Sequence, residues 1–309
     1  MPHFVFTSGP FLNRARWAGQ GLLLSAVLLC TAGCRRSSLS AGLELQSEDY
    51  SAVRSHFTTQ LVKHGPAPQQ YEPLVCPAGA EQVVYSPELH LQAWIAAPPA
   101  SGNSAGAKRP AVLFLHGGFA LGAGDWTMTQ PYQDAGYIVM TPAWRGENGQ
   151  NGEFSTFYNE VSDVIAAADF LAKQPSVDAT HIYLAGHSAG GTLTLLAAMT
   201  SSRFRAAASF SGAPDMIAFT KQDPAWTAFD PSNVREGQMR SAAAFASSFK
   251  CPVRLYYGTQ ELFFAENTRE TSERARKKGL DVDSISVLGD HFSAVPEEIR
   301  DSILFFQAR

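Results

Sequence analysis

The residues best suited to covalent chemistry in this chain are Gly186-His187-Ser188-Ala189-Gly190. The apolar run His181-Ile-Tyr-Leu-Ala185 leads straight into them, and a helix-like stretch, Leu193 to Thr200, follows. Gly-x-Ser-x-Gly between a strand and a helix puts the serine on a sharp, strained turn, lifted clear of the strand. Side chains at the two glycine positions would crowd the neighbouring strand and helix. The helix that follows directs its N-terminal N–H groups at the place where an oxyanion would develop. Ser188 is therefore the candidate nucleophile for acyl transfer. Because Gly-x-Ser-x-Gly also arises by chance in Gly/Ser-rich loops, the flanking strand and helix carry the reading.

A serine hydroxyl is a weak nucleophile; it needs a base, and the base needs an orienting acid. Two later apolar runs, 253–257 and 284–288, exit into Gly258-Thr259-Gln260-Glu261 and Gly289-Asp290-His291-Phe292. Both loops lie at strand carboxyl ends, the edge where open parallel sheets build their sites. His291 is the expected base. Of the other histidines, His3 falls in the leader, His56 and His64 in an N-terminal helix, and His90 and His181 in strands. His187 sits inside the turn and is expected to point away from the nucleophile, in a structural role. Glu261 is the expected acid, one methylene longer than the commoner Asp. Asp290 is adjacent to His291 and would point elsewhere, and Glu266 falls in the next helix. The loop after the first buried strand reads His116-Gly117-Gly118-Phe119, where paired glycines let the backbone approach a carbonyl oxygen. The expected oxyanion donors are the N–H of Ala189 and one from Gly117 or Gly118.

These loops need a scaffold, and the apolar pattern supplies one. Runs at 111–115, 137–141, 181–185, 206–210, 253–257 and 284–288 alternate with helical stretches at 157–173, 193–200, 265–278 and 296–308. Short apolar strands alternating with helices predict an α/β fold, a mostly parallel central sheet with helices on both faces. Residues 83–85 and 89–95 predict an antiparallel pair ahead of it. One amphipathic helix is expected over 46–64, with Ser47 as N-cap and Val53, Phe57 and Leu61 on its apolar face. Residues 214–249 hold Phe219, Trp226 and Phe229 but no clear strand, and are expected to cross above the sheet's carboxyl edge.

Composition removes other classes. The chain has 309 residues, 45% hydrophobic and 17% charged, with formal net charge −4. That is leaner in charge than the average of about 25% and apolar enough for a large core. A negative balance without a dense Lys/Arg run argues against nucleic acid as a partner. Residues 1–34 read as an export signal: Arg14 and Arg16, then an apolar run from Gly21 to Gly33, then Cys34. The run is shorter than the roughly 20 residues of a membrane-spanning helix. Thr31-Ala32-Gly33-Cys34 resembles a bacterial lipobox, which implies lipidation of Cys34, though Thr31 replaces the usual Leu. Plain cleaved secretion is the alternative. The expected division is a signal at 1–34, a tether and amphipathic helix at 35–79, and a catalytic domain at 80–309. Cys76 and Cys251 either pair or remain free, with Cys251 serving as a small apolar side chain. No metal site is expected, since no Cys-x-x-Cys spacing occurs.

Together, His116-Gly-Gly-Phe, the Arg145-Gly146 turn with Gly149 and Gly152, Gly186-His-Ser-Ala-Gly-Gly191, Gly258-x-x-Glu261 and Gly289-Asp-His291 resemble the catalytic domain of the prolyl oligopeptidase family of serine peptidases. More broadly, residues 80–309 resemble the alpha/beta-hydrolase superfamily, in which nucleophile, acid and histidine follow in that chain order. The resemblance implies a serine hydrolase cleaving small esters or peptide and amide bonds, without a cofactor. Three departures limit it. The large propeller of full-length peptidases has no room in the 45 or so residues after the signal. Prolyl oligopeptidase places a Tyr oxyanion donor where His116 stands. Dienelactone hydrolases, also related, use Cys where this chain has Ser188. Phe119, Trp144 and Trp226 are expected to line an apolar substrate pocket. Arg145 either binds a substrate carboxylate or pairs internally with Glu147 or Glu153. An inactive envelope lipoprotein that uses the fold only for binding is the alternative function.

Overall fold

The computed structural model describes residues 39–98, 107–222 and 224–309. The expected signal, residues 1–34 with Cys34, lies outside them. The described residues fall in one compact unit, with no division at residue 80.

Eight strands form one sheet: β1 (Glu81–Ser86), β2 (Leu91–Ala96), β3 (Arg109–Leu115), β4 (Ile138–Pro142), β5 (Val177–His187), β6 (Ala207–Phe210), β7 (Val253–Gly258) and β8 (Val282–Val287). Their spatial order is β1-β2-β4-β3-β5-β6-β7-β8. β1 and β2 pair antiparallel and β2 runs antiparallel to β4, while all later pairs are parallel. A parallel strand is covered on both faces, which is why 111–115 is apolar at every position and completely buried.

Among the described residues are nine α-helices, α1 (Tyr50–His56), α2 (Ala123–Met128), α3 (Gln130–Asp134), α4 (Glu160–Ala172), α5 (Ala189–Thr200), α6 (Met216–Gln222), α7 (Val234–Gln238), α8 (Leu262–Arg276) and α9 (Val295–Gln307), and two short 3-10 turns at Pro224–Trp226 and Ala242–Phe245. The core on one face of the sheet joins α4 and α5 through Val161, Val164, Leu171, Leu193 and Leu196. The core on the other face holds Tyr132 of α3 and Ile299, Ile303 and Phe306 of α9. Every residue of α5 from Ala189 to Met199 is buried, so the helix behind the nucleophile is packed on all sides and cannot shift without opening the core. The segment 214–249 contains α6 and α7 and no strand of the sheet, as expected.

The helix expected over 46–64 covers only seven residues, capped by Asp49 rather than Ser47. From Phe57 to Ala80 the chain is an extended strap. Leu61 bridges to Phe229, the Val62 and Lys63 N–H groups both donate to the Ala228 carbonyl, and Ala67 N–H donates to the Gly146 carbonyl. The apolar spacing of Phe57 and Leu61 is real, but it is used against Tyr158 and Phe229 instead of on a helix face.

A buried ion pair clamps the strap. Arg240 Nη1 lies 2.5 Å from Glu236 Oε2, and both side chains are almost wholly inaccessible. Arg240 also donates to the carbonyls of Ser155 and Thr156 and to Thr59 Oγ1, while Glu236 Oε1 accepts the Gln60 N–H at 2.6 Å. Its guanidinium stacks over Phe229, 4.2 Å from the ring centre. Arg240→Met leaves Glu236 as an uncompensated buried charge and is expected to lower unfolding free energy by about 3–5 kcal/mol in urea titrations. A loss under 1 kcal/mol would show that the clamp carries no such charge.

Candidate active site

The turn between β5 and α5 carries Ser188 at φ 55° and ψ −113°, a left-handed conformation that costs a non-glycine residue about 1–3 kcal/mol. Its N–H donates to the Phe210 carbonyl at 2.8 Å, and Gly190 N–H donates to the His116 carbonyl at 3.0 Å. A β-carbon on Gly190 would stand 2.1 Å from the Leu115 carbonyl oxygen, so only glycine lets the elbow close against the end of β3.

Glu261 and His291 meet as expected. His291 Nδ1 lies 2.5 Å from Glu261 Oε1, which fixes the ring with Nε2 as the free nitrogen. Glu261 Oε2 accepts the Gly258 N–H at 2.6 Å and the Ser211 hydroxyl at 2.5 Å. Burial would raise the Glu261 carboxyl, but the hydrogen bonds from His291, Ser211 and Gly258 outweigh it and hold the group below its ordinary value. Ser211 was not singled out in the sequence. It follows β6 at φ 51°, at the same sheet edge, and that position is the signal that marks it. The His291 ring stacks on Phe264 with centroids 5.6 Å apart. Among the described residues no hydrogen bond joins Ser188 Oγ to His291, and such contacts commonly tighten only with substrate bound.

The remaining candidates sort clearly. Asp290 shapes its own loop, accepting the N–H groups of Phe292 and Ser293 and the Ser293 hydroxyl; these bonds pull it down to about 2. Glu266 is exposed on α8. His187 is buried behind the site, and its Nε2–H donates to the His291 carbonyl at 2.8 Å. Burial, reinforced by the nearby His291, pushes His187 down to about 4, so it stays neutral. Cys76 and Cys251 are both free thiols, not a pair.

Two substrate-contact expectations require correction. Trp144 is buried and stacks on the His116 ring, centroids 4.1 Å apart, and takes no part in the cavity at Ser188. Arg145 is engaged by Asp163, through Nε at 2.9 Å and Nη2 at 2.6 Å, rather than by Glu147, Glu153 or open solvent. Asp163 stands a full helix turn into α4, so no local spacing pointed to it.

Phe119 and Trp226 do line a cavity of about 200 Å3 beside Ser188. Phe157, Phe219 and Phe264 form the rest of its aromatic wall, with Gln69, Gly118, Ala189, Thr192, Ser211 and Ala213 completing the lining. None of these side chains is charged.

Beneath the glycine loop lies a buried charge. His116 Nδ1 faces the Gly117 carbonyl at 2.9 Å and Nε2 faces Glu147 Oε1 at 2.7 Å. The Gly117 carbonyl can only accept, and Glu147 Oε1 already accepts the Trp144 N–H at 2.6 Å, so His116 donates from both nitrogens and is an imidazolium. Burial alone would lower it, but the Glu147 carboxylate and the Gly117 carbonyl hold it up at about 9. A trans peptide points its C=O and N–H in opposite directions. With the Gly117 carbonyl turned to His116, the Gly118 N–H faces away, and Gly118 adopts φ +63° at the cavity wall. Because the folded value exceeds the ordinary 6.5, this stabilisation is complete below pH 6.5 and is lost as pH rises through about 9. Glu147→Gln should therefore melt well below the wild type at pH 6.5, with the gap narrowing towards pH 9; a gap independent of pH would mean the pair is not ionised.

Residues 125–274 match the sequence model of the prolyl oligopeptidase family. A search of the curated proteins found no match. Among solved structures, a puromycin-hydrolyzing peptidase of Mycobacterium tuberculosis is similar at 21% identity and TM-score 0.63, over 74% of this chain and 38% of that one. The acylaminoacyl peptidase of Pyrococcus horikoshii is similar at 20% identity and TM-score 0.59, over 74% of this chain and 40% of that one. A thermophilic esterase of the planctomycete Thermogutta terrifontis is similar at 19% identity and TM-score 0.60, over 75% of this chain and 92% of that one. The chain thus spans about two fifths of the peptidases and nearly all of the esterase. With a mostly parallel eight-stranded sheet, a serine on the β5–α5 elbow and a family match through both that elbow and the Glu261 loop, the chain has the alpha/beta-hydrolase fold, and its residues 125–274 match the prolyl oligopeptidase family.

Proposed function

We propose that this serine hydrolase cleaves small esters with an uncharged, apolar acyl group, and small acyl amides more slowly. The observation that carries this is the aromatic cavity beside Ser188, closed in by Phe119, Phe157, Phe219, Trp226 and Phe264. Its 200 Å3 is below the roughly 300–1,000 Å3 of pockets that enclose drug-sized ligands, which suits a short acyl chain. It offers no carboxylate to hold a free amino group. The similar structures include peptidases and an esterase alike, so the bond type rests on the cavity.

In this mechanism His291 Nε2 takes the Ser188 proton as Oγ attacks the acyl carbon. The Ala189 N–H, at the start of α5, and the Gly118 N–H hold the oxyanion. His291 then gives its proton to the leaving oxygen or nitrogen, and the acyl group stays on Ser188 until water, deprotonated by the same ring, releases it. Glu261 accepts the Nδ1–H throughout and stabilises the imidazolium. The reaction calls for no metal or organic cofactor. The alternative of an inactive binding protein draws no support from the family match.

With p-nitrophenyl butyrate as substrate, Ser188→Ala is expected to cut kcat about 10,000-fold or more with the cavity intact. Glu261→Gln, which presents an NH2 to His291 in one amide orientation, should cost about 1,000-fold or more. Butyrate turnover exceeding that of an aminoacyl p-nitroanilide by orders of magnitude supports the ester reading, and the reverse order overturns it. Activity surviving Ser188→Ala overturns the mechanism itself.

Export to the bacterial envelope and lipidation of Cys34 remain part of the proposal on the strength of residues 1–34 alone. No helix among the described residues is long and apolar enough to cross a membrane. Cys34→Ala should move the enzyme from the membrane fraction to the soluble one; an unchanged distribution would show that Cys34 carries no anchor.

A further inference from the structure

Resting on that hydrolase reading, we infer that Gln69, delivered by the N-terminal strap, is a working part of the site: it fixes the oxyanion loop and presents a donor to the substrate. Gln69 precedes the first strand by twelve positions, and nothing in its sequence surroundings marks it. In the fold its Oε1 accepts the Phe119 N–H at 2.8 Å. A backbone N–H can only donate, so the amide orientation is fixed by chemistry: oxygen to the loop, NH2 to the other side.

Two consequences follow from that contact. The Phe119 N–H is taken out of use, so the loop's donor must come from its glycines, and the Gly118 N–H is the one opposite the carbonyl that His116 holds. The amide also presses against Gly118, where a β-carbon would stand 2.9 Å from Gln69 Oε1 and 3.3 Å from Nε2. The loop is therefore gripped from two sides, by an imidazolium below and by an amide from the strap.

The NH2 group is left over. Among the described residues Nε2 has no hydrogen-bond partner, while the side chain lines the same cavity as Ser188. The other hydroxyl groups of that lining, apart from the nucleophile, are already occupied. Ser211 donates to Glu261, and Thr192 Oγ1 donates to the Ser188 carbonyl and accepts the Ala213 N–H. Gln69 Nε2 thus presents an uncommitted amide donor beside the oxyanion loop, in a wall whose other large side chains are aromatic. Its partner is an oxygen of the bound ester that gains negative charge as the tetrahedral intermediate forms.

The strap makes this placement rigid. Gly65 accepts the Phe154 N–H, Ala67 donates to Gly146, and Glu72 accepts from Asn148, so Gln69 is pinned on both sides along the chain.

Three enzymes assayed on p-nitrophenyl butyrate test this: Gln69→Ala, Gln69→Glu and wild type, each checked by its melting curve. Gln69→Ala loses both contacts and is expected to lower kcat about 100-fold with KM changed less than threefold, the size of effect seen when an oxyanion donor is removed. Gln69→Glu keeps an oxygen for the Phe119 N–H but replaces the donor with a negative charge. It is expected to melt like the wild type and yet lose at least as much kcat as the alanine variant. Wild-type turnover by Gln69→Glu would overturn the substrate-donor assignment, and kcat within threefold of wild type in both variants would overturn the inference entirely. A rise in KM alone would overturn it too, by showing a ground-state contact. Should the wild type show no Ser188-dependent turnover, the hydrolase reading falls and takes this inference with it, an outcome distinct from active wild type and indifferent variants.

Discussion

The close approach of the nucleophile elbow to the end of β3 is the constraint on which the rest of the site hangs. With Gly190 against the Leu115 carbonyl and its N–H on the His116 carbonyl, the start of α5 and the glycine loop are joined backbone to backbone. That contact brings Ala189 and Gly118 together with Ser188 in the lining of one cavity. It also requires a left-handed serine, whose cost is met because α5 is buried from Ala189 to Met199 and cannot relax. Strain at one residue is held by packing over eleven, Ala189 to Met199.

Around that contact the fold spends buried charge on loops rather than on the core. His116–Glu147 lies under the glycine loop, Arg145–Asp163 ties the turn after β4 to α4, and Arg240–Glu236 clamps the strap. Buried ion pairs of this kind often contribute little net stability. Their value here is geometric. Each guanidinium or imidazolium fixes several backbone carbonyls or a carboxylate at once, and donors that are already aimed need no reorganisation when charge develops in the transition state. His187 does the same with a neutral ring, holding the His291 carbonyl from behind, so the base is positioned by its backbone as well as by Glu261.

What could be read from the sequence followed from local signals. The strands, the elbow and the order of Ser188, Glu261 and His291 were legible because apolar runs end in short loops at one edge of a parallel sheet. Helices α2 and α3, six and five residues long, fall below the length at which periodicity separates a helix from a loop. The helix expected over 46–64 failed past His56 because Phe57 packs edge-on against Tyr158 and Leu61 bridges to Phe229, a tertiary choice that outweighs helical spacing. Trp144 and Arg145 looked like substrate contacts because their types suit binding. Their partners His116 and Asp163 lie 28 and 18 positions away, at distances no window along the chain reveals. Gln69 belongs to the same class of long-range contact.

Those long-range contacts also shape what the site can accept. A serine, a histidine and a carboxylate serve esters and amides alike; the bond cleaved depends on how well the leaving group is protonated and how the acyl part is held. In this chain the wall beside Ser188 is aromatic, and the charged groups of the neighbourhood are turned away from it. Arg145, the one cation the sequence placed near the substrate, is held in a bidentate pair, and Glu147 is consumed by His116. A charged substrate end would have to give up its hydration to enter this wall with no opposite charge to receive it, a cost of several kcal/mol. An apolar acyl chain gains about 25 cal/mol for each Å2 of surface it buries there. The His116–Glu147 pair that orients the glycine loop also consumes a carboxylate, and with Arg145 held by Asp163 the cavity is left neutral, so positioning and selectivity share contacts.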